Sequence, residues 1–110
     1  MLTPVQIRER HKLSANNSRI SQLGDELRAN QNLDRQYYTS NSLDTRRSAK
    51  QLRTAVGTRS ALKGNLEKRL TSWNSTPAQK DHADRLLREI RSAQNQEEID
   101  RIRAAACVRR

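Results

Sequence analysis

Between Asp44 and Glu67 the chain runs 22 residues without a carboxylate, and that stretch holds Arg46, Arg47, Lys50, Arg53, Arg59 and Lys63. Arginine and lysine neutralise phosphates. Hydroxyl side chains hydrogen-bond phosphate and sugar oxygens. Thr54 and Ser60 lie within the stretch, and Ser42, Thr45 and Ser48 lie at its start. The candidate nucleic-acid-binding set is therefore Arg46, Arg47, Lys50, Arg53, Thr54, Arg59, Ser60 and Lys63. Surface helices usually mix signs, because opposite charges four residues apart add about 0.2–0.5 kcal/mol. A one-sign stretch forgoes that support, and an anionic partner is its usual compensation. The competing reading is a solvated helix face.

Other chemistry is not expected. His11 and His82 are far apart, Cys107 stands alone, and no ligand spacing such as HxxxH joins them, so no metal site is predicted. Cys107 follows three alanines and reads as a small packing residue. No GxSxG, phosphate loop or GxGxxG occurs. Glu97, Glu98 and Asp100 read as a charge cluster at a helix start rather than as an acid–base pair. No cofactor and no enzymatic activity are expected.

The whole chain has 110 residues, 22 Lys+Arg and 12 Asp+Glu, a formal net charge of +10. Residues 40–72 carry +6 of it, and the flanking segments carry +2 each. Leu, Ile and Val number only 20, and Phe is absent, so a lone monomer with a deep core is not expected. At this length one domain is predicted. No apolar run reaches the length of a membrane span, and no secretory leader is visible. One cysteine and no disulfide partner fit a reducing, cytoplasmic setting.

What must position the basic stretch is helical. Gly24, Gly57, Gly64, Pro4 and Pro77 are the only strong punctuation, and strand-like alternation is absent. Thr3-Pro4-Val5-Gln6 has the form of a capping box with proline at the first helical position. The same pattern returns at Thr76-Pro77-Ala78-Gln79, and Asn95-Gln96-Glu97-Glu98 reads as a weaker start. Helices are predicted at about 4–31, 42–73, 77–93 and 96–107. A bend is placed between Asn30 and Ser42, with a continuous helix as the alternative, and Tyr37-Tyr38 would either stack on a ligand or pin the bend. Leu13, Ile20, Leu23 and Leu27 form the packing stripe of the first helix. Leu52, Val56, Leu62, Leu66, Leu70 and Trp73 form that of the second, with Arg59 interrupting it and Trp73 as its anchor. Leu86, Leu87 and Ile90 line the third helix. Ile99 and Ile102 fall in a shifted phase, which suggests a break near Asn95.

The predicted fold is all-α: a long helical hairpin plus a shorter C-terminal helix. The stripes are narrow, so a hairpin alone would leave half its seam wet. Pairing of two copies into an antiparallel four-helix homodimer would cover it, at about 1.5–3 kcal/mol per apolar side chain fully buried.

Lys50, Arg53, Thr54, Gly57, Ser60, Ala61 and Gly64 share one face of the middle helix. Each glycine costs about 1 kcal/mol against alanine there. Close approach of another helix or of a nucleic-acid backbone would justify them. Twenty-two helical residues span about 33 Å, the scale on which duplex grooves repeat. A polar face with few large side chains suits the shallow minor groove of double-stranded RNA, whereas reading splayed bases needs aromatic platforms. Double-stranded RNA is the favoured partner, with DNA second. Arg109-Arg110 would either add contacts or stay solvated.

This layout resembles the small helical RNA-silencing suppressors of nodaviruses. The likeness covers residues 1 to about 93 and is architectural: a short chain, two long helices, a third helix, and Arg46, Arg47, Lys50 and Arg53 on the middle helix. It implies a dimer that binds double-stranded RNA and shields it from the dicing machinery of the host. The alternative is a structural or adaptor coiled coil whose basic helix docks on an acidic protein, in a viral particle or a secretion assembly. A membrane-surface role lacks the large apolar face it would need.

Overall fold

The computed structural model describes residues 2–108, so Arg109 and Arg110 lie outside the described residues. Three helices follow in order: α1 (Pro4–Gln36), α2 (Leu43–Thr71) and α3 (Pro77–Val108). They run up, down and up in an elongated bundle measuring 56 × 26 × 22 Å.

Local chemistry fixes the starts. Thr3 Oγ1 accepts the Gln6 N–H at 3.2 Å, and Gln6 Oε1 accepts the Thr3 N–H at 2.9 Å. Thr76 and Gln79 repeat the exchange at 3.1 and 2.8 Å. At the start of α2 the Ser42 hydroxyl accepts from the Thr45 N–H.

The predicted bend is shorter than expected, because α1 continues to Gln36. Asn30 does not break it. Its amide donates to Ser48 Oγ at 2.9 Å and ties α1 to α2. The turn is set by positive φ at Tyr38 (56°) and Asn41 (53°). Asp34 closes it, accepting the Ser42 N–H at 3.1 Å and the Thr45 hydroxyl at 2.6 Å. Those bonds, Thr45 foremost, hold the Asp34 carboxyl below its ordinary pKa. Both tyrosines are exposed, so neither pins the turn by packing.

The core has two parts. Leu13 of α1, Leu66 of α2, and Ala83, Leu86 and Ile90 of α3 form one buried cluster, with Leu62, Leu70 and Leu87 packed against it. Ile20, Leu23 and Ala55, with Leu52, form the second, nearer the α1–α2 turn. Over the first cluster α3 supplies a third wall. Leu27 is half-buried.

Two expected packing residues are not in the core. Val56 is exposed, because Ala55 holds the inward position and the next residue points about 100° away. Trp73 is 94% exposed. The helix ends at Thr71, Ser72 turns extended, and the apolar phase that reaches Leu70 no longer applies beyond it.

The expected break at Asn95 is absent, and α3 is continuous. Ala93, Glu97, Asp100 and Ala104 are its half-buried positions along this half, and Ile99 and Ile102 are exposed. The shifted apolar phase thus marks an outer face rather than a new helix. Cys107 is exposed rather than packed.

Two polar junctions each join all three helices. Arg59 of α2 donates to both carboxylate oxygens of Glu97 of α3 at 2.7 Å and to Asn17 Oδ1 of α1 at 3.1 Å. Arg69 of α2 donates to both oxygens of Glu9 of α1 at 2.7 and 2.6 Å, and His82 of α3 sits 3.2 Å from the same carboxylate. Hydrogen bonding from Arg69 is the main reason the Glu9 carboxyl lies below its ordinary pKa.

Candidate nucleic-acid interface

The seam of α2 is Thr45, Ser48, Leu52, Ala55, Arg59, Leu62, Leu66 and Leu70, all buried or half-buried. At about 100° per residue, the opposite side of the helix carries Arg46, Lys50, Arg53, Gly57, Ala61 and Gly64. All but the half-buried Gly64 are exposed. A Cβ built on Gly57 or Gly64 would meet nothing within 4 Å. No helix of this chain approaches that face, so the glycines serve no contact inside the molecule.

Arg47 and Thr54 lie on the flank nearer α1. There they line a groove with Asn16, Arg19, Lys50 and Thr58 and no carboxylate. Arg19 is the residue the sequence reading missed. It sits beside the seam residue Ile20, but only the register of α1 against α2 brings it next to Arg47 and Lys50.

Some cations elsewhere are paired, while Arg8, Lys12, Arg35, Lys63, Lys68, Lys80, Arg91 and Arg103 make no ion pair among the described residues. Arg85 pairs with Asp81 at 3.2 Å, Arg88 with Asp84 at 2.9 Å, and Arg101 with Glu98, all within α3. Arg10 reaches Glu89 at 3.5 Å, and Arg28 pairs with Asp25. Among the described residues, Arg19, Arg46, Arg47, Lys50 and Arg53 make no ion pair. From Arg46 to Arg53 the helix rises about 10 Å.

Three members of the predicted set fall outside the basic strip. Arg59 is 4% exposed and committed to Glu97 and Asn17. Burial of a guanidinium is tolerable only when it is paired and hydrogen-bonded, and here it is both. Arg59 is therefore a structural residue and not a ligand contact. Lys63 is exposed on the flank facing α3, in a cleft with Glu67, Asp84 and Arg88. Ser60 is exposed but lies on the flank of α2 away from the groove with Arg19 and Arg47, and does not line it. The site thus contracts to Arg46, Arg47, Lys50, Arg53 and Thr54, and gains Arg19.

The described residues contain no group of three or more His, Cys, Asp or Glu that could hold a metal ion. No described helix is long and apolar enough to cross a membrane. The fold is all-α, and the outer face of α2 with its α1 flank carries a strip of cations. No family model, curated protein or solved structure matches the chain.

Proposed function

We propose that this protein is a non-enzymatic binder of double-stranded nucleic acid, RNA before DNA, that recognises charge and shape rather than sequence. The observation that carries this reading is the strip of exposed, unpaired cations at Arg46, Arg47, Lys50 and Arg53, joined by Arg19, on a stretch of α2 that holds no carboxylate between Asp44 and Glu67. Such a strip matches the phosphate contacts that supply sequence-independent affinity. Base-stacking recognition of single strands fits less well. The exposed aromatic residues Tyr37, Tyr38 and Trp73 flank opposite ends of α2. The 29 residues of α2, at 1.5 Å each, hold them about 43 Å apart, so they cannot form one platform.

The working unit in this reading is a homodimer. Leu33, Leu43, Ile99 and Ile102 are exposed aliphatic residues that a second copy would cover. The resemblance to the nodaviral suppressors supplies the biological setting, a viral protein that shields duplex RNA from silencing.

The test is duplex-RNA affinity as a function of salt. Each phosphate neutralised contributes about 0.9 to the slope of log K against log salt, taking the B-DNA value. Arg46→Ala combined with Arg47→Ala and Lys50→Ala should lower the slope by about 2–3 while helix content is retained. An unchanged slope would sink the reading. Absence of any gel shift with duplex RNA at moderate salt would favour the adaptor role with an acidic protein partner. Sizing the protein alone and with a short duplex tests the dimer.

A further inference from the structure

The groove between α1 and α2 contains two chemically different sets of groups. Arg19, Arg47 and Lys50 are pure donors with positive charge. Beside them, Thr54 Oγ1 donates its proton to the Lys50 carbonyl at 3.1 Å, and Thr58 Oγ1 donates to the Thr54 carbonyl at 3.1 Å. A hydroxyl carries one proton and two lone pairs. With the proton committed to the backbone of its own helix, each threonine presents only acceptor capacity to the groove. Asn16 is held in a related way. Its amide nitrogen donates to the Ala55 carbonyl at 3.2 Å, and its Oδ1 is left as an acceptor.

Phosphate oxygens accept hydrogen bonds and cannot donate them. The cations of the groove suit phosphates, and the committed hydroxyls do not. A ribose 2′-hydroxyl can donate, and it is the group that distinguishes RNA from DNA at a given site. We infer that this groove holds one strand of an RNA duplex, with Arg19, Arg47 and Lys50 on its phosphates and Thr54 and Thr58 accepting from its 2′-hydroxyls. The inference rests on the duplex-binding reading and adds to it the basis on which ribose is preferred to deoxyribose. It also assigns a role to Thr58, which the charge pattern of α2 leaves unused.

The experiment compares the full-length protein on a short RNA duplex and on the same duplex carrying 2′-fluoro sugars. The fluoro duplex keeps the A-form and loses the donor. The expected result is about threefold to tenfold tighter binding of the 2′-hydroxyl duplex, the scale of one net hydrogen bond or slightly more. Thr54→Val with Thr58→Val should erase that ratio, and Thr54→Ser with Thr58→Ser should keep it. Arg19→Ala should reduce the salt slope by about 1 on both duplexes. Equal binding of the two duplexes by the unmodified protein, which needs no variant to fold, overturns the inference and leaves duplex binding standing. A persistent ratio in the folded valine variant also overturns it. Failure to bind any duplex ends both readings.

Discussion

Arg59 and Glu97 are joined by two parallel hydrogen bonds of 2.7 Å, from the middle of α2 to the second half of α3. Asn17 of α1 accepts a third from the same guanidinium. Arg59 is buried on the seam, and Glu97 is partly open to water. Removing the arginine therefore leaves a carboxylate and an amide without their partner in a narrow polar layer. Arg59→Ala should cost about 2–3 kcal/mol, below the full cost of breaking a wholly buried pair because Glu97 can be partly rehydrated. That corresponds to a drop of roughly 10 °C in Tm. Arg59→Met should cost less, since its stem fills the layer. Below the melting transition neither change should alter the salt slope of duplex binding. A slope reduced as far as by Arg47→Ala would return Arg59 to the binding face.

Glu9 makes stability depend on acid. Its folded pKa lies below its ordinary value of 4.5, chiefly through the Arg69 hydrogen bonds, with His82 adding to them. A carboxyl depressed in the folded state binds protons more readily when unfolded. Its contribution is complete above the ordinary value and is lost as pH falls through the depressed one. The chain should therefore lose stability below about pH 4.5 in chemical denaturation. Glu9→Gln should lower stability at neutral pH and flatten the acid limb. An acid limb just as steep in the glutamine variant would mean that other carboxylates, Asp34 among them, carry it.

The turn between α1 and α2 stores backbone strain at Tyr38, whose φ of 56° is left-handed while its side chain is 98% exposed. A bulky residue in this region costs energy that asparagine or glycine largely avoids. Tyr38→Asn removes no packing, so it should stabilise the protein by about 0.5–1 kcal/mol, read as a rise of a few degrees in Tm. A fall in Tm would show that the ring does hold the turn. If the aromatic ring also contacts a duplex end, affinity would drop in the same variant without a change in salt slope.

Much of this architecture is legible in the sequence because it depends on near neighbours. The boxes at Thr3–Gln6 and Thr76–Gln79 and the stripe of leucines from Leu13 to Leu70 need only helical spacing to be read. The failures are non-local. Arg59 follows the seam phase, yet its partner Glu97 is 38 residues away, so charge alone points outward. The Asn95–Glu98 spacing imitates a helix start, and only the Arg59 contact shows that Glu97 belongs to the middle of a continuous helix. Trp73 shares the phase of Leu70, but the turn begins before it. Arg19 gains meaning only from the register that sets α1 against α2.

Gly57 and Gly64 separate what the fold needs from what a partner needs. Both lie on the outer face of α2 with free space where a Cβ would stand, and neither has positive φ. Within the chain they bring only the cost of glycine in a helix. Gly57→Ala and Gly64→Ala should each stabilise the protein by about 0.5–1 kcal/mol. If a nucleic-acid backbone or a second copy lies against this face, larger side chains will obstruct it while the fold is kept. Gly57→Leu should then melt no lower than the parent and bind duplex RNA more weakly, or dissociate into single copies. Sizing separates these two effects. A leucine variant with unchanged affinity and unchanged oligomeric state would place the ligand away from the small-residue end of α2, on the Arg46–Arg53 segment alone.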